Sequence, residues 1–343
     1  MPKEAGARLN GADTCTVGRY AHLKLLMQQK GLLHAQPAYY MRMVLLTWAM
    51  LATGFASLAV LRNVWFQLLD AAFLAFVFTQ IGFIVHDAGH GQTFRDARKN
   101  NVLCLIHSNL LLGMSCGWWV EKHNRHHKDP NRVQSDPDLA MFALAISEEQ
   151  ACGKQGLLKW LIKHQEYLFF PLLLLTTIGM RAKGIKAILR NKVRYAGFEA
   201  ALIGIHLAWY AGILLLMLGA TNAIIFIVVH QGLFGLYMGS IFAPNHKGMP
   251  ILRADSRLDF LNRQILTTRN VKSSPLTDFW YGGLNYQIEH HLFPRVARNK
   301  LKETQQIVRA FCLRNSITYY ESGVVDSYRA VLKHLRSVSL VAR

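Results

Sequence analysis

Apolar residues along the chain gather into long runs separated by strongly polar stretches. Four runs, 41–61, 65–85, 196–218 and 221–243, carry few charges. Each is about 20 residues long, the length an α-helix needs to cross the hydrocarbon core of a bilayer. Only a few residues around Arg62-Asn63 separate the first two runs, and Gly219-Ala-Thr-Asn222 separates the last two. Each pair therefore predicts a tight helical hairpin. Two further runs are less regular. His107, Ser108, Gly113, Ser115 and Gly117 interrupt residues 102–120. Residues 167–180 fall short of a bilayer span. Both predict interfacial or core helices.

Composition sharpens this reading. The 343 residues are 52% hydrophobic and 17% charged, and mean hydropathy is positive. That excludes a disordered chain, a fibrous rod and a small disulfide scaffold. The formal net charge is +19, which in general suits nucleic acid, an anionic membrane surface or an acidic partner. No nucleic-acid motif is present and the basic residues form no single arm, so the last two remain. Sixteen basic residues fall between the two hairpins and sixteen follow residue 243, whereas the hairpin turns hold only Arg62. The positive-inside bias then places both termini and the central segment in the cytoplasm. No secretory signal opens the chain, and no repeat or low-complexity linker divides it. The expectation is a single domain over 1–343. It comprises a cytosolic segment (1–40), a hairpin (41–85), a cytosolic part (86–195), a second hairpin (196–243) and a second cytosolic part (244–343).

Five cysteines, Cys15, Cys104, Cys116, Cys152 and Cys312, are an odd number without a CxxC pair. Such usage predicts free thiols rather than a disulfide framework or structural zinc.

The fifteen histidines carry the chemistry. Eight lie in four clusters, all on the side assigned to the cytoplasm: His86 and His90; His123, His126 and His127; His246 after Asn245; and His290 and His291 after Gln287. Spacings of three and four put imidazoles on one helical face. Neutral imidazole is a good ligand for iron, zinc and copper. Eight histidines with Asn245 and Gln287 suffice for two metals. One HxxxH motif alone would be weak evidence, but four clusters on one side are hard to read as scattered core histidines. Of the others, His230 lies sixteen residues before His246, roughly 24 Å along a helix, too far to share a metal. His206 is polar in lipid and is expected to pair with Glu199 or Gln231. His107 is a weaker ligand candidate, and His22, His34, His164 and His334 read as surface or cap residues.

Three of these motifs carry a family resemblance. His86-Asp-Ala-Gly-His90, Lys122-His-Asn-Arg-His-His127 and Gly282-Gly-Leu-Asn-Tyr-Gln-Ile-Glu-His-His-Leu-Phe-Pro294 resemble the three histidine boxes of the membrane fatty acid desaturases. Gln287 at the head of the third box, and Asn245-His-Lys-Gly-Met-Pro250, are similar to the front-end branch and its bacterial relatives. The resemblance covers about residues 35–320. It implies an all-α integral membrane fold, with four transmembrane helices in two hairpins and a cytosolic helical cap holding a di-iron site. It also implies O2-dependent removal of two hydrogens from an acyl chain, with two electrons supplied from outside. The oxidising power is the metal's, and the protein positions and tunes it.

On that resemblance His86, His90, His123, His126, His127, His246, His290 and His291 are the expected iron ligands. Gln287 and Asn245 are weaker candidates, because many relatives have His where Gln287 stands. Asp87, Asp136, Asp138 and Glu289 are expected to hold the far ring nitrogens of the ligands. Phe83, Phe234, Tyr237, Met238 and Phe242 are candidate walls of an acyl tunnel. A basic mouth suits an anionic carrier, whether coenzyme A, phospholipid or acyl carrier protein. The sequence holds neither a His-Pro-Gly-Gly motif of a cytochrome b5 domain nor a GxGxxG fingerprint. The expected electron donor is therefore separate, an acidic ferredoxin or a cytochrome b5-type carrier. By analogy the membrane is a bacterial inner membrane.

Two alternatives remain. A hydroxylase or acetylenase on the same scaffold would need no new ligand type. A metal transporter would want its polar ligands inside the spans, and most of these histidines lie outside them.

Overall fold

The computed structural model describes residues 10–341, with side chains from Gly18 onward; the thiol of Cys15 lies outside the described side chains. In chain order the helices are α1 (Asn10–Gln29), α2 (Pro37–Val60), α3 (Val64–Gly89), α4 (Ala97–Leu105), a π-helical turn (Ile106–Leu111) and α5 (Cys116–Lys128). There follow α6 (Glu148–Cys152), α7 (Gly156–Lys163), α8 (Gln165–Leu173), α9 (Thr176–Leu189) and α10 (Ala196–His246). The chain ends with α11 (Phe260–Leu266), α12 (Pro275–Trp280), α13 (Gln287–Leu292), α14 (Leu301–Arg314) and α15 (Val324–Val341). Two-residue strands β1 (Asn270–Val271) and β2 (Glu321–Ser322) pair in parallel, a small exception to the all-helical expectation.

Local chemistry sets the boundaries of the first hairpin. Pro37 sits in the first turn of α2, where its missing N–H costs nothing. The Asn63 side chain accepts the amide of Trp65 and starts α3 three residues after α2 ends. Across the hairpin, Ser57 donates to Asp70 at 2.9 Å.

The sequence predicts a second hairpin where α10 runs for 51 residues. Gly219, at φ 72° and ψ 170°, breaks that helix. Tyr210 and His230 lie on opposite sides of the break, twenty residues apart, yet Tyr210 Oη is 2.6 Å from His230 Nδ1. In an unbroken helix they would stand about 30 Å apart. The chain therefore doubles back at Gly219, a conformation that residues with a Cβ rarely adopt.

Helices α2, α3 and α10 are long and apolar enough to cross a membrane, and two bent helix pairs would raise the number of spans to five. Leu46, Leu69, Leu216 and Val228 point outward from them, as suits a lipid surround rather than water. Helix α3 is the most buried of the three. Its Leu74, Phe78 and Ile81 pack with Tyr210, Phe226 and Phe234 of α10 in the main core.

The two irregular runs are broken elements. Residues 97–111 and α5 meet at 116°, and α8 and α9 at 69°. At the first bend, Gly113 has φ +66° and lies against the His206 ring, where a Cβ has no room. His206 Nδ1 binds the Leu110 carbonyl at 3.1 Å. Its expected partners are engaged elsewhere: Glu199 at the head of α5, and Gln231 with Arg181 and Tyr210.

This bend also corrects the cysteine expectation. Cys104 and Cys116 form a disulfide, with Cα atoms 6.1 Å apart. They are twelve residues apart in sequence and meet because the chain reverses between α4 and α5. Cys152 and Cys312 are free.

Beyond the hairpins, α1, α11, α13 and α14 share a second core built on Leu23, Ile265, Ile288 and Phe311. Helix α15 packs on α8 through Leu335, Phe169 and Leu173.

Candidate metal centre

Four elements deliver the histidines. His86 and His90 lie in the last turn and at the C-cap of α3. His123, His126 and His127 share one side of α5. His246 is the last residue of α10, and His290 and His291 lie on α13. These ends converge, so all eight candidate histidines meet. They fall into two groups: His86, His90, His123, His127 and His290 in one, and His126, His246 and His291 in the other, with ligand atoms in each group within 4.8 Å of one another.

Neighbouring acceptors fix several rings by their far nitrogens. His86 Nδ1 donates to Asp87 at 2.9 Å, and the other Asp87 oxygen receives Arg298 at 2.6 Å. His126 Nδ1 donates to Asp136 at 3.0 Å. Asp138 lies 3.5 Å from the same nitrogen and also pairs with Lys122. His246 Nδ1 donates to the Thr267 carbonyl at 3.1 Å, and His291 Nδ1 to Gln264 Oε1 at 2.9 Å. Each such bond leaves Nε2 with a lone pair. Glu289 differs from the other three acids: its partners are Asn270 and Tyr319, not a histidine ring. Burial raises its pKa to about 7 even though those donors oppose the shift.

The nitrogens then face one another. His126 Nε2 and His246 Nε2 are 3.2 Å apart, and both rings have already committed Nδ1–H. In the neutral rings no hydrogen lies between two facing lone pairs. His86 and His290 approach through Nε2 at 3.1 Å, as do His123 and His127. Metal–imidazole bonds are about 2.1 Å, so neighbouring ligands at right angles stand about 3 Å apart. His90 Nε2 and His291 Nε2 are buried without a hydrogen-bond partner. Burial first, and the neighbouring rings second, push the pKa values of His90, His123, His127, His290 and His291 well below the usual value. The rings are thus neutral at pH 7, the form that binds metal. The donor set fits metal.

Gln287 and Asn245 form a linked pair. Asn245 Nδ2 donates to the Leu284 carbonyl at 3.0 Å and to Gln287 Oε1 at 3.1 Å. The Gln287 amide nitrogen thereby lies 3.1 Å from His246 Nε2. As seated, Gln287 turns its nitrogen toward the three-histidine group, and the buried Asn245 Oδ1 has no partner.

The other sequence candidates stand apart. His230 pairs with Tyr210, and His107 lies between Trp48 and the Leu103 carbonyl. The candidate tunnel residues divide between two cores: Phe83 and Tyr237 in one, Phe234 and Met238 in the other, with Phe242 packed partly on both. Sequence reasoning missed Gln264 and Arg298. Neither lies in a histidine box; only the position of Gln264 inside an apolar helix, Phe-Leu-Asn-Arg-Gln-Ile-Leu, could have drawn notice.

Comparison with known proteins bears directly on this arrangement. The fatty acid desaturase family model matches residues 63–323, a stretch that contains all eight histidines. The chain belongs to the fatty acid desaturase family. It is 28% identical over 338 residues to the Delta(6)-fatty-acid desaturase fat-3 of Caenorhabditis elegans, covering 94% of this chain and 75% of that protein. It is 28% identical over 334 residues to an acyl-lipid (9-3)-desaturase of Physcomitrium patens, covering 94% of this chain and 63% of the moss protein. Against the Delta(5) fatty acid desaturase fat-4 of C. elegans it is 26% identical over 336 residues, covering 94% and 74%. With its long apolar helices, this member of the family is a membrane-associated oxidoreductase of lipid metabolism.

Proposed function

We propose that the protein is an O2-dependent di-iron desaturase that introduces a carbon–carbon double bond into a fatty acyl chain. The observation that carries this reading is the convergence of eight histidines into groups of five and three, in a chain of the desaturase family. His86, His90, His123, His127 and His290 would hold one iron, and His126, His246 and His291 the other. Gln287, Asn245 or water would complete the smaller set. Asp87, Asp136 and Asp138 keep the ligand rings oriented and their inward nitrogens free of protons. Iron would supply the O2 chemistry, imidazole being among its suitable ligands. No observation favours a hydroxylase.

In this reading α2, α3 and the two halves of α10 are the four spans, and the remaining helices are a cytosolic cap around the metal centre. The whole chain acts as one desaturase domain. The basic segments keep both termini and the site in the cytoplasm, with a bacterial inner membrane as the setting. The acyl chain arrives on coenzyme A, a lipid or an acyl carrier protein, and electrons arrive from an acidic ferredoxin or a cytochrome b5-type carrier.

The test is mass spectrometry of total fatty acids from a host expressing the wild type or His290→Ala, with lipid-bound and carrier-bound acids both released. A new double bond present only with wild type supports the reading. Hydroxylated, still saturated acids would replace desaturation by hydroxylation.

A further inference from the structure

A cavity of about 390 Å³ beside the histidine centre is lined by both half-cystines, Cys104 and Cys116, and by the ligand candidate His90. That volume lies in the range of small-ligand pockets, about 300–1,000 Å³. Arg95 and Arg295 stand exposed on its walls, and no acid is among the described residues that line it. The disulfide itself is shielded, with Cys104 1% and Cys116 3% exposed. The bond is therefore reached through the cavity or not at all.

This bond joins two elements of the centre. Cys104 lies near the end of α4. One turn earlier, Asn100 accepts the Phe94 amide at 3.1 Å and donates to the Phe94 carbonyl at 2.7 Å, so α4 is tied to the chain that leaves His90. Cys116 is the first residue of α5. Trp119, one turn on, stacks on the His123 ring with centroids 4.7 Å apart. The disulfide thus clamps the segment after the first histidine pair to the head of the helix that carries three more ligands.

Reactive cysteines sit in electropositive, partly accessible surroundings, whereas structural buried ones are inert. Disulfides facing a reducing compartment are mostly transient or redox-sensing. Resting on the desaturase reading and the cytoplasmic placement above, we propose that this cavity is a thiol–disulfide exchange site for a small anionic thiol of the glutathione type, and that the state of Cys104–Cys116 sets how firmly the centre holds its metal. The small thiolate attacks one sulfur and forms a mixed disulfide there, and the other cysteine leaves as a thiolate. A second small thiol then attacks the mixed disulfide. The two thiol protons pass to Cys104 and Cys116, and the small thiols leave as their own disulfide, which re-forms the bond by the reverse steps.

The test uses the full-length protein, oxidised and metal-free, with glutathione and with neutral 2-mercaptoethanol at equal thiolate concentration. Glutathione should open Cys104–Cys116 without denaturant. In Cys104→Ser, oxidised glutathione should leave one glutathione on Cys116, as read by peptide mass spectrometry. Charge reversal, Arg95→Glu with Arg295→Glu, should slow the glutathione reaction about tenfold, the low end of electrostatic steering, and leave the 2-mercaptoethanol rate unchanged. The milder Arg95→Gln with Arg295→Gln pair should fall between, which guards against a folding defect. Reduction should lower anaerobic iron(II) affinity by about fivefold or more, the low end of coupling between two sites, and bound iron should disfavour reduction by the same factor. Cys104→Ala with Cys116→Ala should bind iron as the reduced protein does and ignore glutathione. Equal glutathione rates in wild type and the reversed pair overturn the proposal, as does a bond that opens only in denaturant or an iron affinity indifferent to its state. Faster reduction by thioredoxin than by glutathione also overturns it, because a folded protein cannot enter the cavity. If the purified protein responds as expected but the pair stays oxidised in cells with a reduced glutathione pool, the cytoplasmic placement fails while the exchange site stands. If it responds yet forms no double bond in either state, the desaturase reading alone fails.

Discussion

The carboxylate of Glu199 receives the backbone amide of Gly117 at 3.0 Å, at the head of the helix that carries His123, His126 and His127. Its other oxygen accepts from Ser115 at 2.6 Å and Asn109 at 3.0 Å. A buried carboxylate from α10 thus satisfies free donors at the start of α5, where the helix dipole favours negative charge. A Cβ on Gly117 would stand 2.6 Å from Glu199 Oε1, so only glycine permits the approach.

Two substitutions break this contact from opposite sides. Glu199→Gln sets an amide NH2 against backbone and side-chain donors. Gly117→Ala displaces the carboxylate. Each should cost about 1–3 kcal/mol, the range for a buried group left unsatisfied. Bound iron per protein should fall in both variants, and the double variant should be little worse than either single one, because both break one contact. Full additivity in iron content would show that the pair does not act as a unit.

Asp136 orients His126. Its two oxygens each lie 3.0 Å from His126 Nδ1, and one also accepts the Asn131 amide at 2.7 Å. In Asp136→Asn the new amide can present its NH2 to His126 and favour the wrong tautomer, with the proton on Nε2. Metal affinity should fall by about 10- to 100-fold. Metal titration of the purified variant checks this, and wild-type affinity would remove Asp136 from the role.

Much of this centre is legible in the sequence, for identifiable reasons. The spacings in His86/His90 and in His123/His126/His127 are helical, so one face follows directly from the residue numbers. Gly219 is legible because a hairpin between two apolar runs needs a breaker. Gln264 and the Thr267 carbonyl are not legible, since they reach their rings from a short helix and its end with no motif. The Cys104–Cys116 pairing depends on a 116° bend that hydropathy does not encode. The partner expected for His206 failed for the same reason: the bend brings the Leu110 carbonyl to its ring.

That disulfide can be counted directly. Cys104 and Cys116 are bonded, while Cys152 and Cys312 are free. Alkylation in denaturant without reductant should therefore label Cys152 and Cys312 and leave Cys104 and Cys116 unlabelled. Prior reduction should add those two, as read by peptide mass spectrometry. Labelling of Cys104 without reduction would show the pair to be dithiol in the isolated protein.

Metal removal should destabilise one part of the molecule more than the rest. His126 Nε2 and His246 Nε2 face each other at 3.2 Å with both Nδ1 hydrogens already donated, so without a cation two lone pairs oppose one another. His90 and His291 are left with buried, unpartnered nitrogens. A ligand at 1,000 times its dissociation constant stabilises the native state by about 4 kcal/mol, and that contribution disappears with the chelated metal. The hairpin of α2 and α3 does not depend on it, because apolar packing and the Ser57–Asp70 bond hold those helices together. Hydrogen exchange after chelation should rise in α5 and α13, which carry five of the eight histidines, and stay slow in the middle of α3. Restoring iron should restore protection. Equal deprotection of α3 and α5 would mean that the histidines are held by the fold alone, with no metal required to reconcile them.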